Sequence, residues 1–99
     1  RFRAPLAGVY AVWVDIEGVE HRVKGAANVG VRPTIGDMVK PILEVHLLDF
    51  DQQIYGRRIS VEFVYKIRDE QQFTSLDDLA ESISDDVVLI KQWFAANSH

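Results

Sequence analysis

The hydrophobic pattern of this 99-residue chain changes period once, and that change limits what the chain can fold into. From about residue 8 to residue 67, short runs that are either apolar on both faces or alternately apolar and polar lie between turn-forming segments, which is typical of β-strands. From about residue 76 to residue 95, apolar residues recur every three or four positions, which predicts one amphipathic α-helix. Ser75 followed three residues later by Asp78 is close to a capping box and predicts the N-terminal cap of this helix. The order, strands first and one helix last, predicts a β-barrel or meander with a C-terminal helix packed on it.

The first strand and the segment after its hairpin have different patterns. Gly8 to Ile16 is apolar on both faces, which indicates a closed barrel or a sandwich rather than a half-solvated sheet. Residues 20–27 are expected to return beside it as a hairpin, and residues 58–67 are expected to form a later strand. The segment Asn28 to Lys40 contains two glycines and a proline and is therefore predicted to be a loop.

The run ILEVHLLD at residues 42–49 has clear strand alternation. One face would carry Leu43, Val45 and Leu47, and the other Glu44, His46 and Leu48. Alternation alone favours the polar side of an ordinary antiparallel strand. An acid with a histidine two residues away is also a candidate general base with a neighbour, and the pattern leaves both interpretations open.

Composition excludes several kinds of site. The chain has no cysteine, so disulfides, thiolate zinc sites and cysteine nucleophiles are excluded. Its net charge of −4 argues against bulk binding to nucleic acid, although one phosphate group needs only a few local donors. The three histidines lack metal-ligand spacing, and no apolar run is long enough to cross a membrane.

Three segments hold further candidates, each with a plainer alternative. In the predicted loop, Asn28 and Thr34 offer uncharged oxygens and Arg32 offers donors suited to phosphate. The alternative is a long hairpin loop with ordinary turn residues. The polar run at residues 68–73 is either a flap over a ligand or a solvated connector. Asp86 is expected on a solvated helix face, although it adjoins the apolar stripe.

The chain resembles the riboflavin kinase family in several segments that occur in the family's order. These are Gly8-Val9-Tyr10-Ala11, Asn28-Val29-Gly30-x-Arg32-Pro33-Thr34-x-Gly36, Glu44-Val45-His46-Leu47, Tyr55-Gly56 and Arg68-x-Glu70-x-x-Phe73-x-Ser75. The resemblance is strongest to the C-terminal kinase module of bacterial bifunctional riboflavin kinase/FAD synthetases. It implies a Greek-key antiparallel β-barrel of about six strands with a C-terminal helix. It also implies a cytoplasmic enzyme that transfers the γ-phosphoryl group of MgATP to the 5′-hydroxyl of riboflavin to give FMN.

The resemblance also implies roles for individual residues. The catalytic base falls on Glu44, the ATP-binding residues on Leu47, Asp49 and Tyr55, and the flavin-binding residues on Arg68, Gln71, Phe73 and Asp86. Two of these depart from patterns found in relatives, where position 49 can be histidine and position 71 can be lysine. Both departures remove a potential positive charge.

One family motif is missing from the chain. Relatives carry Gly-x-Pro-Thr-Ala-Asn just before Gly-Val-Tyr-Ala, and its Thr and Asn hold Mg²⁺ and the ATP phosphates. This chain starts at Arg1, seven residues before Gly8, without that motif. The resemblance therefore implies one kinase domain, incomplete at its N-terminus, that lacks a first strand, its metal ligands and an N-terminal FMN adenylyltransferase domain. Little activity is expected of the 99 residues alone, and an open barrel edge would favour self-association.

Two other kinds of function stay open at this point. The chain could be a non-catalytic barrel that holds a flavin or a nucleotide without turnover. It could also be an interaction module with no small ligand. Binding of nucleic acid or of a membrane is not expected, because the chain is acidic and has no membrane-spanning segment.

Overall fold

A computed structural model describes residues 7–33 and 39–97, with side chains for residues 7–30 and 42–97. The elements are β1 (Gly8–Ile16), β2 (Val23–Pro33), β3 (Val39–Leu47), β4 (Ile59–Arg68) and α1 (Leu76–Ala96). The mainly β architecture with a C-terminal helix is confirmed. Among the described residues, no helix combines the length and the apolar character needed to span a membrane.

The four strands form one antiparallel sheet in the order β3-β2-β1-β4. In this arrangement three hairpin-connected strands are followed by a fourth that returns beside the first, which is the Greek-key order. Within the described residues, β3 and β4 lie at the two edges of the sheet. The Greek-key prediction is confirmed for the sheet, and closure into a barrel stays a prediction.

The sheet carries an apolar cluster on each face. One cluster consists of the buried residues Val12, Val14, Ile16 and Ala27 with their neighbours. The other lies under α1 and consists of Val9, Ala11, Leu48, Ile90 and Phe94 with their neighbours. Strand β1 contributes alternate side chains to both clusters, as its sequence predicts. The face under α1 is the one that positions the candidate site.

The predicted loop at residues 28–40 is wrong for residues 28–33, which continue β2, and for residues 39–40, which begin β3. Residues 28–33 all pair with β3, and residues 28 and 29 also pair with β1. Pairing with β3 outweighs the turn preference of Gly30, and Pro33 is tolerated because it is the last residue of the strand. Asn28 and Arg32 are therefore strand residues, and Thr34 lies outside the described residues.

The side chains of β4 do not keep the single alternation predicted for residues 58–67. The pairing of β4 with β1 shifts register at two places, next to Val64 and next to Ile67. Each shift inserts an extra residue, so Val64 and Ile67 pack under α1, while Val61 and Phe63 pack on the opposite face. Tyr65 also lies on the helix side, where its ring stacks on Trp93 at a centroid distance of 5.3 Å.

Helix α1 begins with the predicted cap. The Ser75 hydroxyl oxygen accepts a hydrogen bond from the backbone N–H of Asp78 at 3.1 Å. Asp77 and Asp78 occupy the first turn, where a negative charge interacts favourably with the helix dipole.

Removing this cap is expected to destabilise the fold modestly. Ser75→Ala leaves a helix N–H without its side-chain acceptor, so the free energy of unfolding should fall by about 1 kcal/mol. Urea denaturation monitored by circular dichroism measures the loss. Ser84→Ala is the matched control, because Ser84 is an exposed mid-helix residue where alanine favours the helix. Equal losses in the two variants would contradict the capping role.

Candidate functional site

A pocket lies between the sheet and the N-terminal half of α1. Segment 69–73, which follows β4 and is called the flap below, contributes to its lining together with all four strands. The pocket opens on the side of the sheet that carries Glu44 and His46, while Val45 and Leu47 of the same strand pack in the opposite cluster. The predicted division of this strand into two faces is therefore confirmed.

The register of the sheet places four side chains of the pocket in one row across the strands. Glu44 of β3 pairs with Asn28 of β2, Asn28 pairs with Val9 of β1, and Val9 pairs with Arg68 of β4. Because neighbouring strands lie about 4.8 Å apart, the backbones of Glu44 and Arg68 lie about 14 Å apart across the sheet. The site thus has a carboxylate at one end and a guanidinium at the other.

A second row beside the first is lined by smaller residues. His46 of β3 pairs with Ala26 of β2, and Ala26 pairs with Ala11 of β1. Ala26 lines the pocket and leaves space above the sheet beside His46, while Ala11 is buried under the helix. A flat ligand can therefore lie close to the backbone in this part of the pocket.

Arg68 is held rigidly at its end of the row. Its Nε donates to Oδ1 of Asp86 at 2.9 Å, and its Nη2 donates to Oδ2 of Asp86 at 2.8 Å. The same Nη2 donates to the Ser82 hydroxyl at 2.9 Å. The hydrogen bonds that Arg68 donates to Asp86 raise the pKa of its guanidinium, and burial opposes the shift. The side chain of Asp86 is 90% buried, so this pair ties the end of β4 firmly to α1.

Gly8 allows β1 to approach the end of β4 where Arg68 lies. Its φ of +152° is a conformation that side chains rarely adopt. A Cβ at this position would lie 2.6 Å from the carbonyl oxygen of Arg68. The glycine is therefore needed where the row of pocket residues crosses from β1 to β4.

The flap folds back over the sheet. The carboxylate of Glu70 rests against Gly30 of β2, because a Cβ on Gly30 would lie 3.0 to 3.4 Å from the carboxylate atoms. Phe73 lies near the base of the flap, where the Arg68 guanidinium is 5.9 Å from the centroid of its ring. The flap thus brings a carboxylate and an aromatic ring to the pocket.

The helix side of the pocket is apolar and partly open. Leu79, Ile83 and Val87 line it, and Ile83 is 50% exposed. These residues continue the stripe that is buried further along at Ile90. The N-terminal half of the stripe is therefore available to cover a ligand.

The structure brings together most of the predicted site residues. Glu44, Asn28, Arg68, Gln71, Phe73 and Asp86 all line the pocket. His46 and Glu70 line it as well, although the sequence suggested no role for His46 and showed Glu70 only as a motif position. On α1, the pocket residues Leu79, Ile83 and Val87 belong to the apolar stripe predicted to pack on the sheet, because periodicity does not reveal where along a helix the sheet stops covering it.

The three predicted ATP-binding residues do not line this pocket. Leu47 packs in the cluster on the opposite face of the sheet. Asp49 accepts a hydrogen bond from Nζ of Lys91 at 3.2 Å, and Tyr55 is 92% exposed in a turn. The side chain of Arg32 and the whole of Thr34 lie outside the described residues.

The described residues do not form a metal site by themselves. No group of three or more histidine and acidic side chains within them is arranged to hold a metal ion. The pocket residues therefore do not fit Mg²⁺ as a resident ion.

A family model described as riboflavin kinase, the flavokinase family, matches residues 1–94. The chain belongs to the riboflavin kinase family. A bifunctional riboflavin kinase/FMN adenylyltransferase from Pseudomonas fluorescens is 48% identical over 99 residues, covering 100% of this chain and 31% of that protein. The Haemophilus influenzae protein of the same name is 49% identical over 90 residues, covering 91% of this chain and 29% of that protein.

Two further similarities extend the range of relatives. An RNA-binding riboflavin kinase from Bacillus subtilis is 37% identical over 87 residues, covering 88% of this chain and 37% of that protein. A crystal structure described as a macrolide-efflux protein from Streptococcus pneumoniae superposes with a TM-score of 0.81 at 33% identity, covering 92% of this chain and 29% of that one. The chain spans about 30% of the length of the bifunctional relatives that it matches.

Proposed function

We propose that this chain is the part of a longer protein that phosphorylates riboflavin, transferring the γ-phosphoryl group of ATP to the 5′-hydroxyl to give FMN. The observation that carries the proposal is the row that places Glu44, Asn28 and Arg68 along one pocket beside an apolar helix wall. A carboxylate, polar side chains and an apolar surface are what a polyhydroxylated flavin requires of its site. Membership of the riboflavin kinase family supports the same assignment.

In this proposal Glu44 is the general base. As the 5′-oxygen of riboflavin forms its bond to the γ-phosphorus, its proton passes to the Glu44 carboxylate. The bond from the γ-phosphorus to the bridging oxygen breaks, and ADP leaves with that electron pair. A positioned carboxylate contributes roughly 10²–10⁴-fold to such a step. Glu44 faces the open pocket, so a substrate hydroxyl can reach it.

The flavin ring is proposed to lie between the flap and α1. Leu79 and Ile83 offer an apolar surface, Phe73 offers a ring for stacking, and Gln71 offers an amide that can pair with ring or ribityl oxygens. Arg68 and Asp86 belong to this side of the site as well. Since both oxygens of Asp86 accept hydrogen bonds from Arg68, we propose that Asp86 acts by fixing the direction of the guanidinium.

ATP is proposed to approach from the connection between β3 and β4, which carries Asp49 and Tyr55 just after Leu47. This assignment is supported by the family's motifs and not by the pocket. Mg²⁺ would neutralise charge on the phosphates. The described residues do not supply its ligands.

The longer protein is proposed to contain an FMN adenylyltransferase domain, as the names of its relatives state for those proteins. The two activities would act in sequence, since FMN is the product of the first and the substrate of the second. We further propose that the reaction takes place in the cytoplasm. The absence of cysteine from the sequence suits a reducing compartment.

Shortening the apolar wall is expected to weaken riboflavin binding. Ile83→Ala removes apolar surface that the flavin would cover, so the Kd for riboflavin should rise by roughly ten-fold. Quenching of riboflavin fluorescence during titration measures it. Val88→Ala is the matched control, because Val88 is on the same helix, is exposed to a similar degree (53% against 50%) and does not line the pocket. Equal effects of the two substitutions would place the flavin elsewhere.

A further inference from the structure

The geometry points to Asn28 as a positioning residue for Glu44, whose carboxylate the neutral Asn28 amide directs into the pocket. The inference rests on the proposed function, because it assigns a partner to the proposed base. It follows from the register of the sheet. In the sequence, Asn28 and Glu44 are sixteen residues apart and belong to different motifs.

Asn28 is the direct cross-strand partner of Glu44. The two residues face each other in the β2–β3 pair, and both line the pocket. Side chains directly opposite in an antiparallel pair have Cβ atoms about 4.5 to 5.5 Å apart, which brings the Asn28 amide within reach of the Glu44 carboxylate. Within the part of the chain that the structure describes, no side chain is hydrogen-bonded or ion-paired to Glu44, so its carboxylate can turn toward the amide. Asn28 is therefore the side chain placed to orient the carboxylate.

Asn28 also lies between two acids. Gly30 lies two residues further along β2, on the same face. The carboxylate of Glu70 in the flap packs against Gly30. The titratable groups that line the pocket with Glu44 are His46, Arg68, Glu70 and Asp86, and Arg68 is already paired with Asp86. An amide at position 28 can donate two hydrogen bonds and adds no charge between Glu44 and Glu70. An acid there would crowd three carboxylates together.

The inference predicts a specific defect for Asn28→Asp. A negative charge opposite Glu44 favours the protonated form of the base, so the acid limb of the kcat/KM profile for FMN formation should move up by about one pH unit. Activity should recover at higher pH, because Glu44 still ionises there. Gln92→Glu makes the same chemical change on the exposed outer side of α1 and should leave the limb in place. The assay uses a polypeptide that carries this sequence and extends upstream of Arg1.

A second pair of variants keeps the inference testable should Asn28→Asp fold poorly. Asn28→Ala removes the donor, so kcat should fall roughly ten-fold while the Kd for riboflavin changes less than two-fold. Asn28→Ser restores a short donor and should recover most of the loss. Rescue by serine, together with the split between kcat and Kd, supports a positioning role.

The outcomes separate this inference from the proposed function. An unmoved acid limb in Asn28→Asp, or a Kd that rises as much as kcat falls in Asn28→Ala, overturns the role of Asn28. A parent protein that forms no FMN overturns the proposed function instead. If Glu44→Gln keeps parental activity, Glu44 is not the base. The inference that Asn28 positions the base is then overturned as well.

Discussion

Glu44→Gln is expected to lower kcat for FMN formation by about 10²–10⁴-fold, while the Kd for riboflavin changes less than a few-fold. Glutamine keeps the shape of the side chain and its place in the row opposite Asn28. It cannot accept the proton of the 5′-hydroxyl, so the loss should fall on the chemical step. Single-turnover kinetics and a riboflavin titration on the same preparations separate the step from binding.

Glu81→Gln is the control for this prediction. It makes the same change at an exposed position of α1 that does not line the pocket, and parental kinetics are expected. If riboflavin binding collapses together with turnover in Glu44→Gln, Glu44 is a binding or structural contact. If turnover survives, another group is the base and the proposed mechanism is wrong.

Arg68→Ala is expected to destabilise the fold by about 3 kcal/mol, because it leaves the carboxylate of Asp86 buried without its partner. Arg68 retains 25% side-chain exposure, which places the loss at the lower end of the range for broken buried pairs. The double variant with Asp86→Ala should be more stable than the sum of the single losses predicts, by at least about 1 kcal/mol. Urea denaturation of all four proteins completes the cycle.

Arg22→Ala is the control for the ion pair. Arg22 pairs with Glu62 at 3.3 Å, but both side chains are about half exposed or more, so its loss should cost less than about 1 kcal/mol. Equal losses for Arg68→Ala and Arg22→Ala would show that the pair with Asp86 does not tie β4 to α1. Additive losses in the double-variant cycle would show the same.

Local patterns in the sequence predicted the elements well. The change of hydrophobic period located α1, and Ser75 located its first turn, since both signals lie within a few residues of the feature they report. Alternation at residues 42–49 also predicted which side chains of β3 share a face. Glu44 could be a candidate base only because it faces away from the apolar cluster that contains Val45.

Features that depend on pairing between different segments of the chain could not be predicted from local sequence patterns. The turn-like composition after Asn28 hid the continuation of β2, because that continuation is stabilised by pairing with β3 and, at residues 28 and 29, with β1. The register shifts in β4 cannot be recognised from the alternation of apolar residues along the strand. These shifts place Ile67 on the side of the sheet that faces the helix. The contact of Glu70 with Gly30 likewise depends on how the flap folds back across the sheet.

The candidate site shows the same division. The family motifs identified Glu44, Arg68 and Asp86 as candidate site residues. Only the strand register shows that Asn28 lies beside Glu44. The ionic tie between Arg68 and Asp86 required the end of β4 and the middle of α1 to be packed together. Nothing in the spacing of those two residues along the chain predicts their bidentate contact.

Transfer of label from ATP marked at its γ-phosphorus to riboflavin tests the central claim most directly. The measurement compares the parent with Glu44→Gln, both carried on a polypeptide that extends upstream of Arg1. We expect labelled FMN from the parent, at least a hundred-fold less from Glu44→Gln, and similar riboflavin binding by the two. Tight binding of riboflavin by the parent without any labelled FMN would contradict it and would identify the chain as a flavin-binding barrel without kinase activity.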